Sequence, residues 1–291
     1  MQKELITVKD VVTQDIEVYR LGEGDPKVLI TAGLHGGEMT GQHAAFELLN
    51  QLQDASLEGQ VTIIPRANPA AFRRMRRTSP FDEQDMNRIF PGDEDGTPSQ
   101  RIAHHIYDTA VEHDYIVDLH CCGPQGSPYT LAQYEEYEFS EELAGLLDIP
   151  VAVQSGGAEG QLFVEAAGRE EIPSVIIELP GGGRSGMIDL SAADMTVEAL
   201  NRMLTLLDVL PGAADKPEPV FCEQLRRVKP PEHGLFIPAV APGEKFSAGQ
   251  TLATLNDEEI SVGFSGFAII VRPASYVFGN MTSLVLAPET E

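Results

Sequence analysis

Short Val- and Ile-rich runs alternate along this chain with stretches whose apolar residues recur at helical spacing, and this alternation limits the fold more than any other feature. The runs cover residues 27–32, 61–65, 115–119, 150–153 and 174–179, each bounded within a few residues by Gly, Pro or Asn. That is the pattern of strands buried on both faces. Between them, residues 41–52 set Ala44, Ala45, Leu48, Leu49 and Leu52 on one helical face. Residues 99–111, 140–147 and 192–207 predict three further helices, with Ser99 and Ser140 as N-caps. The alternation predicts an α/β fold, a mixed and mostly parallel sheet flanked by helices.

The pattern changes after residue 211. Residues 211–219 (PGAADKPEP) form a Pro-rich, polar connector, so one domain is expected over 1–212 and a second over 218–291. The second has short apolar segments punctuated by glycine. Gly234-Leu-Phe-Ile-Pro leading to Gly249-Gln-Thr-Leu-Ala is loosely matched by Gly266-Phe-Ala-Ile-Ile leading to Gly279 and Leu284-Val-Leu-Ala. Such a repeat predicts a small all-β barrel built from two related halves. It resembles biotinyl/lipoyl-type barrels. Those carry a modifiable lysine between the halves, whereas the segment here is Asn256-Asp-Glu-Glu-Ile-Ser-Val-Gly-Phe, and a carrier role is not expected.

With 291 residues, 42% of them hydrophobic, the chain can bury a full core. Forty-five acidic against twenty basic residues give a net charge of −25, which argues against nucleic acid or an anionic membrane as partner. Six of the basic residues are Lys and fourteen Arg. An acidic, Lys-poor surface points to adaptation to high salt, where screening offsets self-repulsion. Residues 1–4 lead into a polar strand pattern rather than an apolar signal core. No apolar run approaches the roughly 20 residues that span a bilayer. Three cysteines, with Cys121 and Cys122 adjacent, make no disulfide framework and read as reduced thiols. The expectation is a soluble, cytoplasmic protein, with a homo-oligomer left open.

The chemistry gathers where strands end. After the first core strand comes Gly33-Leu-His35-Gly-Gly-Glu38, after a later one Asp118-Leu-His120, and after the last Ile176-Ile-Glu178-Leu-Pro-Gly181. Open α/β sheets collect their ligand-binding groups at these ends. A capped loop would account for one His-x-x-Glu pair; three polar strand ends in one chain ask for more. Two imidazoles and one carboxylate leave a fourth position for water, the arrangement of a catalytic zinc site. His35, Glu38 and His120 supply that set for one zinc ion per chain, and Gly36 and Gly37 let the backbone turn tightly round it. Glu178 is then the natural general base and later proton donor to a leaving amine. Arg73, Arg74, Arg76 and Arg77, with Arg88 downstream, concentrate positive charge in a strongly negative chain. Guanidinium binds carboxylate bidentately, so an anion site is expected, against the plainer alternative of a salt-bridged surface patch. His43, His104, His105, His113 and His233 read as solvated or capping residues.

With these motifs in view, G-x-H-G-x-E, N-P…R…N-R-x-F-P-G, D-L-H and E-x-x-G, the chain resembles the succinylglutamate desuccinylase/aspartoacylase family, a branch of the zinc carboxypeptidase-like fold. The resemblance covers roughly residues 25–185, with a small β domain expected after it. It implies zinc on His35, Glu38 and His120 and Glu178 as the catalytic carboxylate. It implies that Arg77 polarises the scissile carbonyl, that Asn87 and Arg88 hold a substrate carboxylate, and that Asp85 orients His35. An arginine shortly before the catalytic Glu would select an acidic side chain, and Arg169 in Gly168-Arg-Glu-Glu stands there. The Thr-Ser-Pro and Phe-Pro-Gly variant resembles the branch that includes deacetylases of N-acetylated diamino acids. The expected activity is hydrolysis of the amide of a small carboxylate-bearing N-acyl amino acid. A metallocarboxypeptidase acting on short peptides would need the same groups, and a catalytically inactive binding protein on the same frame is the alternative of another class.

Overall fold

Two strands that the apolar pattern leaves unannounced open the chain. In the computed structural model, which describes residues 1–10 and 12–290, β1 (Gln2–Val8) and β2 (Gln14–Gly22) form an antiparallel hairpin. Then follow β3 (Lys27–Ala32), α1 (Met39–Leu52), β4 (Gln60–Ile64) and the short α2 (Pro69–Arg73). After a 3-10 turn at Met86–Arg88 come α3 (Pro98–Ala110), β5 (Tyr115–Gly123), β6 (Tyr129–Ala132) and α4 (Glu138–Ala144). The remainder of the α/β part is β7 (Val151–Gln154), α5 (Leu162–Glu170), β8 (Ser174–Gly182), β9 (Met187–Ile188) and α6 (Leu190–Leu206). The connector leads into β10 (Val220–Cys222).

These strands form one large mixed sheet in the order β1-β2-β4-β3-β5-β8-β6-β7-β10, with β9 attached to β8. At its centre β4, β3, β5 and β8 run parallel. Alternate residues of β3 feed opposite faces: Val28 and Ile30 join the layer under α1 and α6, whereas Leu29 joins that under α3 and α5. Both faces are covered, as near-continuous apolar runs require. Leu48 of α1 is fully buried in the first layer, where truncation to Ala would cost about 2–5 kcal/mol.

Two predicted caps are corrected. Pro98, with its fixed φ, takes the first helical position of α3, so Thr97 is the cap. Its hydroxyl accepts from the Gln100 N–H while the Gln100 side chain accepts from the Thr97 N–H. Ser99 instead bonds Asp82. Helix α4 starts earlier than expected, after Tyr137 and with no side-chain cap, which leaves Ser140 buried inside it. The first strand past the connector, β10, pairs with β7 of the large sheet, so that sheet ends beyond residue 218.

The remaining strands are β11 (Arg226–Val228), β12 (Gly234–Pro238), β13 (Lys245–Phe246), β14 (Ala253–Leu255), β15 (Glu258–Ile260), β16 (Gly266–Val271), β17 (Ser275–Val277) and β18 (Leu284–Pro288). They make two four-stranded antiparallel sheets, β11-β18-β16-β13 and β15-β14-β12-β17. The two loosely repeated stretches account for this order. The first half keeps β12 beside β14 and lends β13 to the other sheet. The second keeps β16 beside β18 and lends β17 in return. Phe236, Phe246, Leu255, Ala268 and Leu286 pack into one core between the sheets. A separate apolar seam of Tyr129, Val153, Cys222, Ile269 and Ala287 joins this β domain to the edge of the large sheet.

Candidate metal centre

Strands β3, β5 and β8 lie side by side, and the groups singled out in the sequence stand at their shared carboxyl end. His35 follows β3, while His120 and Glu178 are register partners on β5 and β8. The loop that carries His35 is fixed from below by Asn68, which caps α2 by accepting from the Ala71 N–H and donates to the Leu34 carbonyl. Gly36 permits that contact: a Cβ there would sit 2.0 Å from the Ala71 carbonyl carbon and the Phe72 nitrogen.

His35, Glu38 and His120 present ligand atoms within 4.8 Å of one another. His35 Nδ1 lies 2.8 Å from Glu38 Oε1, His120 Nδ1 lies 2.8 Å from Glu38 Oε2, and the two Nδ1 atoms are 3.2 Å apart. Each ring's other nitrogen faces a carboxylate, His35 Nε2 to Asp85 at 2.9 Å and His120 Nε2 to Asp118 at 2.7 Å. A carboxylate oxygen accepts, so both Nε2 atoms carry hydrogen, and in the neutral rings both Nδ1 lone pairs turn inward. Converging lone pairs next to a carboxylate are what a cation satisfies, and the outer hydrogen bonds fix the ring planes. The residues present therefore fit a zinc-class ion.

The electrostatics agree. Burial alone would push the Glu38 carboxyl up, yet His35 and His120 hold it well below the usual carboxylate range. Partial burial likewise pushes Asp85 up, and the hydrogen bond from His35 with Arg77 behind it outweighs this and lowers it. Burial disfavours the imidazolium of His35, but Glu38 and Asp85 raise its pKa; Asp118 and Glu38 do the same for His120.

Glu178 stands apart from this network. Its Oε2 is buried with no hydrogen-bond partner among the described residues, and burial pushes its pKa up to about 7, against the pull of the nearby histidines. On β6, Tyr129 is its register partner on the other side, so His120, Glu178 and Tyr129 form one row across three strands. They line a cavity of about 380 Å³ together with His35, Glu38, Arg77, Asn87 and Arg88.

Arg77 donates from Nε to Asp85 at 2.8 Å, and its Nη1 comes within 3.4 Å of His35 Nδ1. It also lines an adjoining cavity of about 480 Å³ with Arg76 and Arg184. Arg88 lines the first cavity while one nitrogen donates to the Asn87 carbonyl at 2.5 Å. Asn87 is 2% exposed, accepts the Leu162 N–H through Oδ1, and places Nδ2 3.3 Å from His120 Nε2. Asp118 takes the proton of that nitrogen at the shorter distance, so the Asn87 amide meets it donor to donor without a hydrogen bond, and what Asn87 holds is the α5 entry through Leu162. Arg169 is brought nowhere near these groups. It points outward from α5 in an ion pair with Glu165 and lines neither cavity. Arg73 faces a different hollow beside Arg66 and Phe72.

Asp118 was in plain view in Asp118-Leu-His120: on a strand, residues two apart share a face, which marks Asp118 as the partner of His120. Thr31 on β3 completes it, donating to Asp118 Oδ1 at 2.6 Å. The three cysteines are free, and burial pushes the Cys121 thiol up to about 12.

A mixed α/β sheet with a His–Glu–His cluster at its carboxyl edge and a β domain closing the cavity defines a class of protein shared with known families. The chain belongs to the succinylglutamate desuccinylase/aspartoacylase family: the description "Succinylglutamate desuccinylase/Aspartoacylase catalytic domain" matches residues 24–206. It is 31% identical over 255 residues, 83% of this chain and 73% of the relative, to an N-alpha-acetyl-L-2,4-diaminobutyric acid deacetylase from Halomonas elongata. Among solved structures it is similar to a succinylglutamate desuccinylase/aspartoacylase from Rhodobacter sphaeroides (TM-score 0.81, 25% identity, 99% of this chain and 96% of that one). The product-bound ectoine utilization protein EutE (DoeB) from Ruegeria pomeroyi shares the fold (TM-score 0.82, 23% identity, 98% and 94% covered).

Proposed function

We propose that the protein is a zinc-dependent deacylase that hydrolyses the amide of a small N-acyl amino acid. One observation carries the reading: the inward lone pairs of His35 and His120 meet the Glu38 carboxylate while both outer nitrogens are already bound to carboxylates. The deacetylase for which the Halomonas elongata relative is named supports the acyl-amino-acid substrate.

A zinc ion held by His35, Glu38 and His120 would supply Lewis acidity and would lower the pKa of water to about 7. Glu178, poised near 7 by burial, takes a proton from the attacking water and passes it to the leaving nitrogen. Arg77, fixed by Asp85, steadies the negative charge that develops on the carbonyl oxygen. Arg88 offers its free guanidinium nitrogens to a substrate carboxylate.

The test is metal analysis of the purified protein together with a hydrolysis screen over acetyl, succinyl and aspartyl amino acids and short peptides. About one zinc-class ion per chain is expected from the donor set, lost in His35→Ala and His120→Ala along with turnover. Cleavage of peptides alone would make it a carboxypeptidase. No bound metal under non-chelating conditions would sink the reading.

A further inference from the structure

The small β domain supplies part of the cavity wall. Strand β11 carries two successive arginines that point to opposite faces of their sheet. Arg226 turns to the domain's own core side, where it pairs with Glu223 and lies over Phe264, 4.8 Å from the ring centre. Arg227 turns to the face that looks at the large sheet. Its register partner on β18 is Val285, and the partner of Val285 on β16 is Ile270. The row Arg227–Val285–Ile270 crosses three strands, and all three side chains line the cavity that holds Glu178, His120 and Arg88. Leu284 and Leu286, which flank Val285, point the other way into the core, so the register alone commits this row to the cavity.

Arg227 is also uncommitted. Arg77 is tied to Asp85 and Arg88 to a backbone carbonyl, but among the described residues no carboxylate lies within ion-pairing distance of Arg227, although acidic residues outnumber basic ones by more than two to one. An exposed cation left unpaired in such a chain, on a wall otherwise formed by Leu225, Ile270, Thr282 and Val285, has no structural task in view. We infer that Arg227 joins Arg88 in binding the carboxylate of the substrate, so that the β domain contributes a specificity-determining residue to the cavity. The inference rests on the deacylase reading for its substrate and on the strand register for its geometry. Both arginines then serve one carboxylate from different elements: Arg88 from the 3-10 turn of the catalytic domain and Arg227 from β11 of the β domain.

The test uses the zinc-loaded full chain and a panel of N-acetyl amino acids, each with its carboxamide analogue, read by calorimetric binding and by turnover. Arg227→Ala should weaken binding and raise KM about tenfold to a hundredfold, the range for a charge-assisted hydrogen bond, with kcat little changed. The carboxamide should bind wild type worse than the acid, and that gap should narrow in Arg227→Ala, where Arg88 alone still favours the acid. Arg227→Lys should recover part of the affinity, which a merely structural residue would not require. Metal content and Tm, equal to wild type, show that the variants fold; should Arg227→Ala not fold, Arg227→Gln takes its place. Equal KM in wild type and variant, or losses that multiply fully between variant and carboxamide, overturns the proposal, as does the failure of wild type to bind any acid of the panel. Acid binding that depends on Arg227 without turnover would instead leave the anion site standing and remove the deacylase reading.

Discussion

Glu178 and Asp118 are carboxylates on neighbouring strands, and their surroundings give them opposite tasks. Asp118 has both oxygens engaged, one by Thr31 and one by His120, so it holds a ring and has no room to accept another proton. Glu178 has a buried, unpartnered oxygen and a pKa near 7, so it can accept and release one. Glu178→Gln should therefore keep the metal and nearly normal substrate binding while turnover falls about a hundredfold to ten-thousandfold. The sign with pH follows. The base works only when ionised, and burial has raised its pKa, so kcat/KM should fall as pH drops through about 7; a bound cation would move that limb lower. The Gln variant should lack the limb, and a profile unchanged by the substitution would assign the proton transfer to another group.

Elements, rather than single residues, set where these groups stand. Gly36 lies against the Ala71–Phe72 peptide of α2 with no space for a Cβ, so Gly36→Ala must push α2 and the His35 loop apart. A cost of at least about 1–3 kcal/mol and weakened metal retention are expected, read by urea unfolding and metal analysis; an unchanged midpoint would show that the turn yields freely. A second join is His113, which the sequence offered as solvated or capping and which caps the end of α3. It is buried, its Nδ1 donating to the Thr109 carbonyl at the end of α3 and its Nε2 accepting from the Thr62 hydroxyl on β4. Burial lowers its pKa below 6.5, so the folded state prefers the neutral ring. Its stabilising contribution is present above about pH 6.5 and is lost as pH falls toward the lower folded value, with a slope of at most about 1.4 kcal/mol per pH unit. His113→Gln should flatten that part of the stability curve; identical slopes in variant and wild type would assign acid sensitivity elsewhere. The contrast explains what was legible. His35, Glu38, His120 and Glu178 follow apolar runs whose period fixes where strands end, so sequence locates them. His113 and Arg227 depend on which elements meet, a tertiary fact: nothing local in Arg226-Arg227 tells which arginine faces the cavity, because the register is set by β18. The β1–β2 hairpin was faint because its outer strand is largely exposed and lacks the apolar signal.

At the scale of the molecule, the net charge of −25 and the two-part cavity make demands that pull against each other. The β domain and the large sheet must stay closed on one another to complete the cavity, through an apolar seam of a few side chains, while the chain as a whole carries a large excess of Asp and Glu. Self-repulsion opposes that closure, and salt relieves it: the screening length falls from about 10 Å at 0.1 M to about 3 Å at 1 M. The Tm should climb steadily with sodium chloride across this range, and turnover should rise with it wherever closure limits activity. Screening must be told apart from the general strengthening of apolar burial by excluded salts, which depends on the anion and favours sulfate. Matched ionic strengths of chloride and sulfate separate the two. A common curve for both salts at low ionic strength, diverging only at high concentration, is the signature of charge screening. A Tm that does not move between about 0.1 and 1 M chloride would mean that the acidic surface is already accommodated by its own arginine pairs, and the adaptation to brine would have to be abandoned.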